Sequence, residues 1–171
     1  MEQPKHFHDD SSPLLPDPAQ YRHLVGRPFY LIVTRPDLCY SVNILSQFMH
    51  QSRQEHMDAA MKIVRYLWAT ANLGLFFSST NDLCLIGYSD SDWASCPITR
   101  RSTTGYITML GTSAISWKTK KQHTVSRSSP KAEYRAMAST TTELIWLKRI
   151  LQKLTVPFDQ SIELNCHFVC E

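Results

Sequence analysis

The hydrophobic pattern of this chain changes near Ala71, from the spacing of helices to the spacing of strands. Upstream of Ala71, apolar residues recur every three or four positions, which places them on one face of a helix. Downstream, short runs of apolar and polar residues alternate and are separated by clusters of Ser, Thr, Asn, Asp and Gly. A helical segment followed by short strands and a further helix predicts an α+β fold.

The chain up to residue 72 divides into residues 1–20 and residues 21–72. Four prolines in residues 1–20 argue against a helix there and indicate a flexible leader. Residues 21–72 are expected to form two or three packed helices, the first of them broken or kinked at Pro28. Pro36 predicts a helix start, and the sequence SRQE at 52–55 predicts a capping box.

Residues 73–171 predict an antiparallel meander, then one long helix and a final strand. Ser129 is expected to cap that helix and Pro130 to occupy its first position. The helix should run to Leu154, and alternating apolar residues at 162, 164 and 166 predict the last strand. The strands predicted for the meander are Leu73–Ser78, Leu83–Ser89, Thr103–Leu110 and Ala114–Lys118, with His123–Ser126 as a further candidate.

Composition places the chain among globular proteins of the reduced cell interior. Hydrophobic residues make up 43% of the 171 residues, charged residues 19%, and the net charge of +3 permits a nucleic-acid partner without requiring one. The five cysteines form no CxxC pair and indicate free thiols. The sequence shows neither a signal peptide nor a membrane-spanning run, so we expect an intracellular protein, cytoplasmic or nuclear, without a membrane partner.

Two acidic residues, Asp90 and Asp92, follow the predicted strand Leu83–Ser89. An acid at the end of a buried strand suits a metal ligand, although Asp and Ser also favour a plain turn. Glu133 is expected in the first turn of the long helix, 43 residues after Asp90, so only the fold can bring the two carboxylates together. Because Mg²⁺ prefers carboxylate oxygens, Asp90 and Glu133 are the candidate metal-binding and catalytic pair.

Basic residues cluster around the predicted meander, among serines and threonines that also bind phosphates. A solvated rim of the sheet explains any single one of them equally well. Trp93, Trp117 and Trp146 are interpreted as core residues rather than as platforms for base stacking. The candidate nucleic-acid-binding residues are Arg100, Arg101, Lys118, Lys120, Lys121 and Arg127.

Several blocks of the sequence resemble copia-type retrotransposon polyproteins. The blocks GYSDSDWASC, RRSTTGY, ISWKTKKQHTVSRSS and KAEYRAMASTTTELIWL resemble the ribonuclease H domain, and the segment from YRHLVG to RYLWAT resembles the end of the reverse transcriptase. The resemblance runs from about Tyr21 to Cys166. It implies a ribonuclease H-like domain with a mixed five-stranded sheet and Mg²⁺-assisted cleavage of RNA in RNA–DNA hybrids. Asp90 matches the family's first metal-binding aspartate and Glu133 its glutamate, while Asp92 is interpreted as a structural residue or turn cap.

The sequence departs from the family pattern at three places. His167, in Cys166-His167-Phe168, occupies the position of an aspartate, and a neutral imidazole suits Mg²⁺ poorly. The glutamate-bearing helix begins Ser-Pro-Lys instead of Ser-Thr-Glu, and the chain ends before a further acidic position and a final helix. We therefore expect a truncated domain, incomplete at its C-terminus, that holds metal weakly and cleaves poorly. Because the polymerase palm is missing, no polymerase activity is expected.

Two other functions remain open at this stage. The chain could be a non-catalytic nucleic-acid-binding module, or the product of a decayed open reading frame. A zinc site at Cys166, His167 and Cys170 is disfavoured because a fourth ligand is not evident in the sequence.

Overall fold

The computed structural model describes residues 12–80, 82–96, 98–156 and 161–166. The chain divides into two compact units, Met1–Gly74 and Leu75–Glu171. The described part of the first unit is helical, and that of the second contains a mixed four-stranded sheet with one long helix. The predicted α+β class is confirmed.

The described residues of the first unit form three α-helices, α1 (Pro18–Leu31), α2 (Cys39–Ser46) and α3 (Gln54–Ala69). Their apolar faces meet in a small core, and the buried Tyr21 hydroxyl donates to the Leu45 carbonyl at 2.7 Å. Because this hydroxyl is hydrogen-bonded, its burial does not carry the free-energy cost of an unsatisfied polar group. The buried core residues are Tyr21, Val25, Leu45 and Ala60.

A buried arginine connects the short 3-10 turn Pro36–Leu38 to the end of α3. The Arg35 guanidinium binds both carboxylate oxygens of Asp37, at 3.0 and 2.8 Å. It also donates to the Thr70 carbonyl at 3.0 Å, a group that the end of a helix otherwise leaves to solvent. Paired in this way, Arg35 is only 6% exposed.

Two prolines that were expected to exclude or interrupt a helix, Pro18 and Pro28, lie inside α1. α1 begins at Pro18, because the Asp17 carboxylate accepts a hydrogen bond from the Ala19 amide at 2.9 Å and Pro18 needs no amide partner at this position. Pro28 does not break α1, which continues to Leu31. Pro28 lies three residues before Leu31 and lacks only its own amide donor, while its carbonyl still accepts from the Ile32 amide at 3.2 Å.

The capping box of α3 forms one residue later than predicted. The Arg53 amide donates to Nδ1 of His56 at 3.0 Å, so His56 takes the part expected of Glu55. His56 is 2% exposed and stacks on Phe48 with the ring centroids 4.1 Å apart. A buried, packed ring therefore supplies a capping hydrogen bond at the start of this helix.

The sheet of the second unit contains β1 (Leu85–Asp92), β2 (Thr103–Leu110), β3 (Ser113–Lys121) and β4 (Glu163–Cys166), in the order β3-β2-β1-β4. β1, β2 and β3 pair antiparallel, which confirms the predicted meander. β4 pairs parallel to β1, from Ile86↔Glu163 to Ser89↔Cys166. This parallel pairing confirms the predicted return of the chain after the long helix.

Two predicted strands are absent from the described residues. Leu73–Ser78 forms no strand, and Phe76 and Phe77 are 83% and 61% exposed. No described strand pairs with this segment, and an extended segment without a partner strand gains little stability. His123–Ser126 is a loop. The described sheet therefore has four strands instead of the five that the resemblance implied.

Helix α4 (Ser129–Lys153) packs along one face of this sheet. Ser128 precedes it as the N-cap residue, one position before the predicted Ser129. Leu144 of α4 and Leu85 of β1 are almost fully buried and form the centre of the core. β1 and α4 approach so closely at Gly87 that a side chain there would meet the Leu144 side chain at 2.7 Å.

Candidate functional site

Strand β1 carries the two candidate aspartates, and its two faces differ. Burial alternates along the strand, with Ser89 and Ser91 buried on the α4 side and Asp90 and Asp92 exposed on the other. Asp90 was predicted to follow the strand, and this is wrong. β2 extends the pairing through Asp90↔Gly105 to Asp92↔Thr103, so Asp92 is the last strand residue rather than a turn residue.

Glu133 reaches β1 from α4. It lies just after the first turn of the helix, not within it as predicted, and is 8% exposed. Its Oε1 accepts a hydrogen bond from the backbone amide of Ser91 at 3.1 Å. Ser91 lies two residues beyond the last described pair of β1 with β4, Ser89↔Cys166, so this amide is open to a side chain. A carboxylate that accepts an amide hydrogen bond is held in one place and orientation.

Glu133 contacts β1 beside Asp90, from the face opposite to the Asp90 side chain. Because the Ser91 nitrogen and the Asp90 Cα are two covalent bonds apart, Oε1 of Glu133 lies within about 5.5 Å of the Asp90 Cα. The Asp90 side chain lies on the exposed face of β1, and Glu133 reaches the strand from the α4 side. The fold thus brings Glu133 close to the backbone of Asp90, from which it is 43 residues away in the sequence.

A buried glutamine holds the start of α4 against the sheet. The Gln122 amide nitrogen donates to the Thr104 hydroxyl and the Ala132 carbonyl, both at 3.0 Å. Its oxygen accepts from the Ser126 hydroxyl at 3.1 Å. Since Ala132 directly precedes Glu133, Gln122 positions that carboxylate.

This network was missed in the sequence, although its residues lie in a block that carries the family resemblance. Isolated polar residues in a loop give no periodic signal, so their burial could not be inferred. The indole of Trp93 also binds this loop, donating to the Ser126 carbonyl at 3.0 Å. Trp93 and Trp146 are 47% and 54% exposed, so the expectation that both are core residues is wrong.

The six candidate nucleic-acid-binding residues do not form one patch. Lys118 and Lys120 are exposed on the α4 side of β3, where Lys120 pairs with Thr104. Strand alternation places Lys121 on the other side. Of the others, Arg100 and Arg127 are exposed in loops and Arg101 is half-buried.

Lys121 donates to the sulfur of Cys96 at 3.0 Å. Burial raises the pKa of the Cys96 thiol, but hydrogen bonds from Thr99 and Lys121 outweigh this effect and lower the pKa to about 7. At neutral pH a substantial fraction of Cys96 is therefore thiolate, and Lys121 is its cation.

The site has donors of the type that Mg²⁺ prefers, but the described residues supply few of them. Asp90 and Glu133 offer carboxylate oxygens, as Mg²⁺ requires. The described residues contain no group of three or more His, Cys, Asp or Glu that could hold a metal. His167 and Cys170 lie outside the described residues, so the zinc alternative stays untested. No helix in the described ranges has the length and apolarity needed to cross a membrane.

Comparison with known proteins finds relatives among retrovirus-related Pol polyproteins and among shorter proteins with other names. The chain is 46% identical over 152 residues to the retrovirus-related Pol polyprotein from transposon RE1 of Arabidopsis thaliana, covering 89% of this chain and 10% of that protein. It is 41% identical over 135 residues to the Pol polyprotein from transposon TNT 1-94 of Nicotiana tabacum, covering 78% and 10%. It is also 44% identical over 128 residues to secreted RxLR effector protein 161 of Plasmopara viticola, covering 74% and 90%.

The chain belongs to the family of copia-type, retrovirus-related Pol polyproteins of transposable elements, of which it represents one segment. It spans about a tenth of the length of the Pol polyproteins that it matches. No protein-family model matches the chain, and no solved structure does.

Proposed function

We propose that Leu75–Glu171 is a ribonuclease H-like domain of a retrotransposon polyprotein that binds RNA–DNA hybrids and hydrolyses their RNA strand weakly. Within it, Asp90 and Glu133 act as the acidic pair at the edge of β1. The observation that carries this proposal is the hydrogen bond from the Ser91 amide to Glu133, because it holds a buried carboxylate against the residue next to Asp90.

The domain architecture supports the same proposal. The domain has an antiparallel meander, a strand that returns parallel to β1, and a helix whose glutamate binds the strand that carries Asp90. Residues fixed on strands and helices hold such a site more firmly than loop residues do. The preceding unit, Met1–Gly74, whose described residues form three helices, would correspond to the end of the reverse transcriptase.

The weak activity follows from the number of carboxylates. A two-metal hydrolytic site needs several acidic ligands to hold ions about 3.5–4 Å apart. Asp90 and Glu133 supply two carboxylates, and His167 occupies the position at which the family resemblance implies a third. A neutral imidazole supplies no negative charge for a magnesium ion.

Hybrid cleavage by the full chain tests this proposal. An RNA–DNA hybrid with labelled RNA should bind and be cut slowly with Mn²⁺ or Mg²⁺, and Asp90→Asn should stop the cutting. His167→Asp should raise the rate. Turnover at about 1 s⁻¹ or faster, the range of ordinary enzymes, would contradict the proposed weak activity. Failure to bind the hybrid would contradict the proposed function itself. Asp92→Asn is the matched control on the same strand.

A non-catalytic nucleic-acid-binding role is the second candidate. The exposed side chains of Lys118 and Lys120, on the same edge strand, favour it. Under this alternative the hybrid binds, no cleavage is detected with either ion, and Asp90→Asn leaves the affinity unchanged.

A further inference from the structure

The charges of α4 are sorted by side. The helix carries two acids and five cations. Both acids face the sheet, since Glu133 binds the Ser91 amide and Glu143 accepts from the Ser116 hydroxyl at 2.7 Å. The charged side chains on the rest of the helix are all basic, namely Lys131, Arg135, Lys148, Arg149 and Lys153.

Two large aromatic residues lie among these cations. Tyr134 is 62% exposed and Trp146 is 54% exposed. At 3.6 residues per turn, Lys131, Tyr134, Trp146, Arg149 and Lys153 fall within about a third of the helix circumference, opposite the buried Ala132, Ala136, Thr140 and Leu144. We call these five residues the α4 stripe. From Lys131 to Arg149 the stripe extends about 27 Å.

We propose that the α4 stripe binds single-stranded nucleic acid. The lysines and arginine contact phosphates, and the rings of Tyr134 and Trp146 stack on bases. Basic grooves or faces interleaved with aromatic side chains are how proteins bind single strands without reading their sequence. This surface lies on the side of α4 away from Glu133, so it adds a second contact with nucleic acid beyond the proposed hybrid site.

Other occupants fit the stripe less well. A second copy of the chain would place one basic stripe against another, and like charges repel. An anionic membrane would require α4 to immerse an apolar face, but that face is buried against the sheet through Ala136 and Leu144. An acidic protein surface would match the charge but would make less use of two exposed aromatic rings.

The charge contribution is tested by the salt dependence of binding. Fluorescence anisotropy of a labelled oligothymidylate is measured with the full chain in EDTA, so that no divalent ion and no cleavage take part. Each phosphate contact on a single strand contributes about 0.7 to the slope of log affinity against log salt. Arg149→Gln with Lys153→Gln should therefore reduce the slope by about 1.4. Lys62→Gln with Arg65→Gln removes two exposed cations from α3 and should leave the slope unchanged.

The stacking contribution is tested by replacing the rings with leucine. Trp146→Leu should weaken oligothymidylate binding about tenfold, whereas Trp68→Leu, at a tryptophan 86% exposed on α3, should not. Thermal melting confirms that each variant is folded. Equal effects of the two tryptophan variants, an unchanged salt slope, or equally tight binding of poly-glutamate would overturn the proposal. Because these measurements use no hybrid and no metal, they fail or succeed independently of the hydrolysis proposed above.

Discussion

The Glu133 carboxylate accepts a hydrogen bond from the backbone amide of Ser91 at 3.1 Å, which joins the start of α4 to the strand that carries Asp90. The bond is buried, since Glu133 is 8% and Ser91 is also 8% exposed. One contact therefore stabilises the packing of α4 on β1 and places the second candidate acid. Its two roles can be separated, because a neutral amide keeps the acceptor and loses the charge.

The structural role of Glu133 predicts different stabilities for two variants. Glu133→Ala leaves the buried Ser91 amide without its acceptor, which costs about 1–3 kcal/mol of unfolding free energy. Glu133→Gln keeps an oxygen acceptor and should cost less than about 1 kcal/mol. Urea denaturation of both variants measures the difference. Equal loss in the two would show that the hydrogen bond is not what stabilises this contact.

The buried amide of Gln122 predicts a second loss of stability. Gln122→Leu removes the partner of Thr104, Ser126 and the Ala132 carbonyl. Since several buried polar groups lose a bond at once, we expect about 2–3 kcal/mol of destabilisation. Gln152→Leu, at an exposed position of α4, is the control and should change stability by less than about 0.5 kcal/mol. Comparable midpoints for the two variants would contradict the network's role.

The close approach of β1 and α4 predicts opposite effects for two glycine substitutions. A methyl group at Gly87 would lie 2.7 Å from Leu144 Cδ1 and 3.1 Å from Thr140 Cγ2. Gly87→Ala should therefore destabilise the domain by about 1–2 kcal/mol. At Gly105 no atom lies within 4 Å of such a methyl group, so Gly105→Ala should be neutral or slightly stabilising. Guanidinium denaturation midpoints measure both, and a tolerated Gly87→Ala would show that the interface can relax.

The lowered pKa of Cys96 predicts a pH dependence of stability. Its folded pKa of about 7 lies below the ordinary thiol value, so thiolate formation stabilises the folded state. This contribution is fully present above the unfolded pKa and is lost as the pH falls through 7. The difference in unfolding free energy between the unchanged chain and Cys96→Ser should therefore grow from pH 6 to pH 9. A difference that does not vary with pH would mean that Lys121 does not hold a thiolate.

Local sequence patterns correctly predicted those strands that pair with a neighbouring strand in the sheet. β2 was expected at Thr103–Leu110 and lies there, because its alternation is flanked by turn residues and meets a strand on each side. Leu73–Ser78 shows a similar apolar pattern but forms no strand. The two segments differ in whether a partner strand lies beside them, and a single sequence does not reveal this. The same reason explains Asp90, since pairing with β2 carries the strand past the point where Asp and Ser favour a turn.

The candidate site was predicted less completely than the sheet. Asp90 and Glu133 were predicted from their residue type and the family resemblance. The fold places Glu133 against the Ser91 amide, next to Asp90 in the chain, and their joint role stays a prediction. Gln122 and Ser126, which position Glu133, were not found because a buried hydrogen-bond network between a loop and a helix leaves no spacing in the sequence. Trp146 was taken for a core residue because tryptophan is usually buried, yet it lies on the outer side of α4.

Binding of Mn²⁺, measured by electron paramagnetic resonance, tests most directly whether Asp90 and Glu133 act on one ion. Mn²⁺ prefers the same oxygen ligands as Mg²⁺, and the signal of the free ion falls as it binds. We expect weak binding by the unchanged chain that is lost in both Asp90→Asn and Glu133→Gln and retained in Asp92→Asn. Binding that survives either Asp90→Asn or Glu133→Gln would contradict a shared site.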